Sequence, residues 1–148
     1  MKTSIFALLS LFAISVAHAG DYLTDLEAGK TKAAAEKKAL LVKFTGSDWC
    51  PPCKALNKNV FTNASFKKGV EKDFVVVVLD YPRKNPLPAA ETATNKKLAK
   101  KYGIKSYPTV MLMDAKGKAF RSLPGYSGTN AKDYLTTVQT ALKAKNFK

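Results

Sequence analysis

The chain's only two cysteines, Cys50 and Cys53, are separated by two residues and sit where one kind of local structure gives way to another. Before them runs Ala39-Leu40-Leu41-Val42-Lys43-Phe44-Thr45, an apolar stretch of strand length, which Gly46-Ser47-Asp48 breaks. From Pro51 onward, Leu56 and Val60 recur at helical spacing, with Lys54 and Lys58 on another side. A strand therefore feeds a helix, and the prolines occupy first-turn positions where a missing N–H costs nothing. Cys50 lies at the helix start, where unpaired backbone N–H groups and the helix dipole favour a thiolate over a thiol. Cys50 is the expected attacking sulfur and Cys53 its partner. As a staple the pair would do little, because closing a loop of four residues is worth roughly 2 kcal/mol against about 3 for a loop of fifteen. The spacing points instead to a disulfide that opens and closes.

The first nineteen residues read as a secretory signal and stand outside any fold argument. Lys2 supplies the positive start, and residues 5–16 form an apolar core shorter than the ~20 residues of a membrane-spanning helix. Ala17-His18-Ala19 is a small-x-small cleavage site. Cleavage after Ala19 leaves residues 20–148 as one exported domain, with a bacterial periplasm as the expected compartment. An uncleaved membrane anchor is the competing reading. The single histidine of the chain, His18, belongs to the leader, so residues 20–148 contain none.

Along the rest of the chain, residues 21–38 read as an amphipathic helix with Tyr22, Leu23, Leu26 and Ala33 among its apolar members. A short helix through Phe66 and Val70 precedes residues 74–80, a β-branched run suited to a sheet centre. Residues 81–95, with Pro82, Pro86 and Pro88, read as an extended loop ending near a helix start at Thr92 or Thr94. That helix turns Leu98 and Tyr102 inward and stops at Gly103. Residues 108–114 and 118–123 form a hairpin around Ala115-Lys116-Gly117, and Thr129 or Asn130 caps a last helix with Tyr134, Leu135, Val138 and Leu142 inward. This order predicts an α/β fold, a central mixed sheet with helices on both faces.

That order, with Trp49-Cys50-Pro51-Pro52-Cys53-Lys54 after the first long strand and Tyr107-Pro108-Thr109 before the later hairpin, resembles the thioredoxin superfamily over residues 21–145. The run from Phe44 to Cys50 and the pair Gly125-Tyr126 look most like its exported bacterial members, including the periplasmic disulfide-reductase branch. The resemblance implies a thioredoxin-like fold and thiol–disulfide oxidoreductase activity, with no cofactor beyond the Cys50–Cys53 disulfide. It also implies a cis proline at Pro108 facing the sulfurs, with Tyr107 beside them and the preceding peptide pairing with substrate backbone. The alternative is a trans Pro108 that simply starts a strand. Trp49 either shields the pair and offers substrate an apolar contact, or merely packs. One departure stands out. Where the family carries a buried acidic residue that helps move the second cysteine's proton, this chain has Val42-Lys43-Phe44. An inward Lys43 would favour a thiolate electrostatically; the plainer expectation is an exposed strand lysine or one snorkelling to solvent.

The chemistry so implied is attack by Cys50 on a substrate disulfide, followed by release through Cys53. Strong oxidants and isomerases of the superfamily often place histidine between the cysteines; Pro51-Pro52 favours a reductant or an exchange role, with a dithiol oxidase as runner-up. A reductant in an oxidising compartment needs its own supply of electrons, so the expected partners are disulfide-containing exported proteins and a membrane-embedded thiol donor. A Cu(I) carrier is the competing class. A structural zinc site wants four ligands, whereas residues 20–148 offer two cysteines and no histidine, and Met111 and Met113 read as core on one strand face. The net charge of +14 comes almost wholly from dispersed lysines, Arg83 and Arg121 being the only arginines. These lysines read as solvated faces, which argues against a nucleic-acid partner. A monomer is expected.

Overall fold

Four strands lie in the order β2-β1-β3-β4 in the computed structural model, which describes residues 22–146. They are β1 (Ala39–Thr45), β2 (Phe74–Asp80), β3 (Thr109–Met113) and β4 (Ala119–Pro124). Around them run α1 (Leu26–Glu36), α2 (Pro51–Leu56), α3 (Ala64–Val70), α4 (Ala89–Lys101) and α5 (Ala131–Asn146). A π-helical turn, Asn57–Phe61, continues α2. The expected leader and its cleavage point lie outside the described residues.

The sheet is mixed, as expected: β1 pairs parallel with β2 and antiparallel with β3, and β3 antiparallel with β4. On one face Leu41, Val76, Val110 and Leu112 pack against Leu56, Val60 and Phe61, then against Phe66, Tyr134 and Val138. On the other face Leu40, Val42, Phe44 and Val77 meet Leu26 and Ala33 of α1 and Leu98 and Tyr102 of α4. Met111 and Met113 both belong to this second cluster, as core methionines should. Because β1 is covered on both faces and paired along both edges, all seven of its residues are buried.

Two helix starts differ from the sequence reading. The first helix begins at Leu26, not Asp21, because Asp25 caps it by accepting the Ala28 N–H at 2.6 Å. Leu23 is extended and bridges to β2: its N–H donates to the Val76 carbonyl and its carbonyl accepts from Val78. That bridge covers the outer edge of β2. α4 begins at Ala89, ahead of Thr92 and Thr94. Pro88 supplies the entry, with φ −47°, and its carbonyl accepts the Thr92 N–H. The other punctuation agrees with expectation: Gly103 has φ +63° after α4, Asn130 accepts the Asp133 N–H at the start of α5, and Asp114 accepts from Lys116 and Lys118 in the hairpin turn.

Register brings the site together. Thr45 lies opposite Asp80 and Phe44 opposite Thr109, so the ends of β1 and β2 and the start of β3 meet at one edge of the sheet. Asn95 of α4 locks this edge: it is buried, its amide donates to the Asp80 carbonyl at 3.0 Å, and its own carbonyl accepts the Tyr81 hydroxyl at 2.7 Å. Asn95→Ala strips the half-buried Asp80 carbonyl of its partner and should cost about 1 kcal/mol, read as a lower urea midpoint of the oxidised protein with unchanged slope.

Candidate active site around Cys50 and Cys53

Cys50 and Cys53 are joined as a disulfide and both are buried, at 3% and 1% exposure. Cys50 is the N-cap of α2: its sulfur accepts the Cys53 N–H at 3.3 Å and its carbonyl accepts the Lys54 N–H at 3.1 Å. The two sulfurs face different surroundings. Cys50 Sγ lies 3.5 Å from the Tyr107 carbonyl oxygen, at the loop before β3. Cys53 Sγ accepts the Gly46 N–H at 3.4 Å and turns toward the interior.

Tyr107-Pro108 is a cis peptide, as the resemblance implied, and the loop is pinned by the Gly125 N–H donating to the Pro108 carbonyl at 2.7 Å. Trp49 joins this loop to the cysteine turn. Its indole N–H donates to the Tyr81 carbonyl at 2.7 Å, and its ring meets the Tyr107 ring edge-on at 5.9 Å. Tyr107 in turn packs on Tyr81 at 5.0 Å. Gly46 makes room for this arrangement: a Cβ there would stand 2.4 Å from the indole. Trp49 thus packs the cysteine turn against Tyr81 and Tyr107.

The segment after β2 is tied down by acidic residues that the sequence reading passed over. Asp48 accepts backbone N–H groups of Arg83, Lys84 and Asn85 at 2.9, 2.7 and 3.0 Å, which hold its carboxyl below the usual range. Asp80 accepts from the Ser47 N–H and hydroxyl and from the Tyr81 N–H. Residues 81–85 are therefore a fixed wall. The Arg83 guanidinium lies over the Trp49 ring, with Cζ 3.7 Å from the ring centroid.

Lys43 overturns the expectation of an exposed or snorkelling lysine: only 3% of it is accessible. A central strand has no solvent side to offer, so the ammonium is accommodated inside. Nζ donates to Asn57 Oδ1 at 2.9 Å and sits 4.2 Å from the centroid of the Phe61 ring. The π-helical turn carries both of these partners. Burial pushes the Lys43 amine down to about 8, opposed by the nearby Asp80 carboxylate. Lys43, Thr45, Cys53, Asn57 and Asp80 line one pocket of about 240 Å³ behind the disulfide. A larger groove between β4 and α5, lined by Phe120, Thr136 and Thr140, shares no residue with this site.

A dithiol pair at a helix start, backed by a polar pocket and faced by a cis-proline loop, is built for thiol–disulfide exchange. Fold and site together define a protein of the thioredoxin class. A family model described as a thioredoxin-like domain matches residues 26–141, and the chain belongs to that family. It is 28% identical over 110 residues to the disulfide bond reductase DsbH of Chlamydia pneumoniae, covering 74% of this chain and 66% of that protein. It spans at most 66% of the length of the curated relatives it matches. A solved structure of a DsbH oxidoreductase superposes with a TM-score of 0.75 at 25% identity, covering 95% of each chain. The oxidised C-terminal domain of Neisseria meningitidis DsbD superposes at 0.62 with 19% identity, covering 82% of this chain and 99% of that one, a likeness of fold alone.

Lys43 carries a cost that depends on pH. Its folded value of about 8 lies below the ordinary 10.5, so below pH 8 both folded and unfolded chains are protonated and the folded state bears the full desolvation penalty. Between 8 and 10.5 the unfolded chain holds more protons, and the penalty fades as pH rises. Lys43→Met should therefore stabilise the oxidised protein by about 2 kcal/mol at pH 7, with the gain shrinking toward pH 10.5, measured as the difference between urea curves of variant and wild type.

Proposed function

We propose that the protein is an exported thiol:disulfide oxidoreductase that works as a disulfide reductase or exchange protein in a bacterial periplasm. The observation that carries this reading is the division of the sulfur pair, with Cys50 Sγ set against the Tyr107 carbonyl of the cis-proline loop and Cys53 set behind it. In the reduced protein, the Cys50 thiolate attacks a substrate disulfide, forms a mixed disulfide and expels one substrate thiolate, which takes up a proton. Cys53, having lost its proton, then attacks Cys50 Sγ; the Cys50–Cys53 bond reforms and the second substrate thiolate leaves. Two electrons pass from the dithiol to the substrate. Trp49 and Tyr107 wall the reaction from water, and the peptide group before Pro108 receives the substrate backbone.

Likeness to a chlamydial disulfide bond reductase supports the reducing direction, as does Pro51-Pro52 in place of a thiolate-stabilising histidine. Residues 1–19 act as a cleaved export signal. The oxidised product is recharged by a membrane-embedded thiol donor, and disulfide-containing exported proteins are the substrates. Lys43 acts by charge: an ammonium in the pocket behind Cys53 favours the thiolate and hence the reduced state.

Equilibration with glutathione or dithiothreitol buffers, followed by Trp49 fluorescence and thiol alkylation, tests the direction. A reductase should lie at about −270 mV, and a value at about −120 mV would make the protein an oxidant. Lys43→Met should move the potential to a more negative value, because the thiolate loses a neighbouring cation. For the roles of the sulfurs, Cys53→Ser should accumulate covalent complexes with substrate that thiol reductants dissolve. Accumulation in Cys50→Ser instead would reverse the assignment.

A further inference from the structure

Arg83 is one of two arginines in a chain whose other cations are lysines, and it sits over Trp49, the neighbour of Cys50 in sequence. Its guanidinium stacks on Trp49, the residue next to Cys50 in sequence and in edge contact with Tyr107. Stacking occupies the flat faces of a guanidinium and leaves its N–H edge outward, the geometry that grips a carboxylate with two parallel hydrogen bonds. Among the described residues no carboxylate pairs with that edge. The acidic residues tied to this segment are engaged elsewhere, Asp48 with three backbone N–H groups and Asp80 with Ser47 and Tyr81. Arg83 is exposed, as is Lys84 next to it. Ordering the loop on arrival of a partner costs little, since Asp48 already holds residues 83–85 in place.

We propose that Arg83 reads a carboxylate next to the attacked cysteine, so that segments with Asp or Glu flanking the cysteine are the preferred disulfide partners. The inference rests on the thiol–disulfide reading above and adds the chemistry of the segment that site accepts. The substrate cysteine meets Cys50 beside the Trp49–Tyr107 contact, and a neighbouring acidic side chain reaches across the indole to the guanidinium. Binding follows from the guanidinium N–H edge, which no carboxylate among the described residues engages.

The test uses reduced protein and short peptides whose single cysteine is disulfide-linked to thionitrobenzoate and flanked by Glu, Gln or Lys. Release of the chromophoric thiol gives the rate at low and high salt. Wild type should prefer the Glu peptide over the Gln peptide by about fivefold at low salt, the scale of one well-oriented ion pair at a surface. Arg83→Gln should narrow that ratio to about twofold or less, whereas Lys118→Gln, which removes one charge from the distant hairpin, should keep it. Arg83→Glu should invert the order in favour of the Lys peptide, an outcome that damage to the fold cannot imitate. Equal rates with Glu and Gln peptides in wild type would overturn the proposal, as would a full preference surviving in Arg83→Gln. If wild type reduced none of the peptides, the thiol–disulfide reading itself would fall.

Discussion

Complete burial of β1 is the constraint on which the rest of the molecule depends. With β2 and β3 taking its two edges and helices covering both faces, every residue of Ala39–Thr45 loses contact with water. Five of the seven, Ala39, Leu40, Leu41, Val42 and Phe44, are suited to that and contribute the centre of two cores. Lys43 is not, and the protein meets the cost locally. The helix after the cysteines loosens into a π-helical turn, which brings the Asn57 amide oxygen and the Phe61 ring to the ammonium. Helix irregularity, buried cation and the pocket behind Cys53 are thus one feature, and all three follow from placing a lysine in a strand with no outer side.

The same strand decides where chemistry happens. β1 ends at Thr45, and its parallel neighbour ends level with it at Asp80, while the antiparallel β3 begins there. Three loops converge as a result, one carrying the cysteines, one Tyr81 and Arg83, one Tyr107 and Pro108. Each loop is then fastened to another: Ser47 to Asp80, Asp48 to residues 83–85, Trp49 to Tyr81, and Pro108 to Gly125. The sulfur pair lies within this lacing, with Cys50 toward the aromatic wall and Cys53 toward the Lys43 pocket. That asymmetry gives two chemically identical side chains different surroundings.

Much of this could be read from the residues in order, and the failures have a common cause. The cysteine spacing, the run 74–80, Gly103 after α4 and the inward face of α5 are local patterns, and local patterns express themselves wherever they are placed. The start of α1 was misjudged because Tyr22 and Leu23 suit a helix as well as an edge strand; only a free edge on β2 draws Leu23 out. Thr92 and Thr94 suit a helix start because threonine is a good cap, yet Pro88 sets the backbone four residues before Thr92. Asp48 stood in plain view beside the motif. Its partners lie 35 to 37 residues away, and no spacing rule connects them.

Read in order, the residues establish the reactive pair, its strand-to-helix setting and the layered α/β architecture. These rest on spacing, periodicity and the conformational limits of glycine and proline, which act over a few residues. Tertiary structure alone decided that Lys43 points inward, that Asn57 and Phe61 receive it, and that Arg83 lies on Trp49. Those outcomes depend on which strand became central and which loops met at its end. Charge and burial are properties of a place in the folded molecule, and a residue acquires them only once its distant neighbours have arrived.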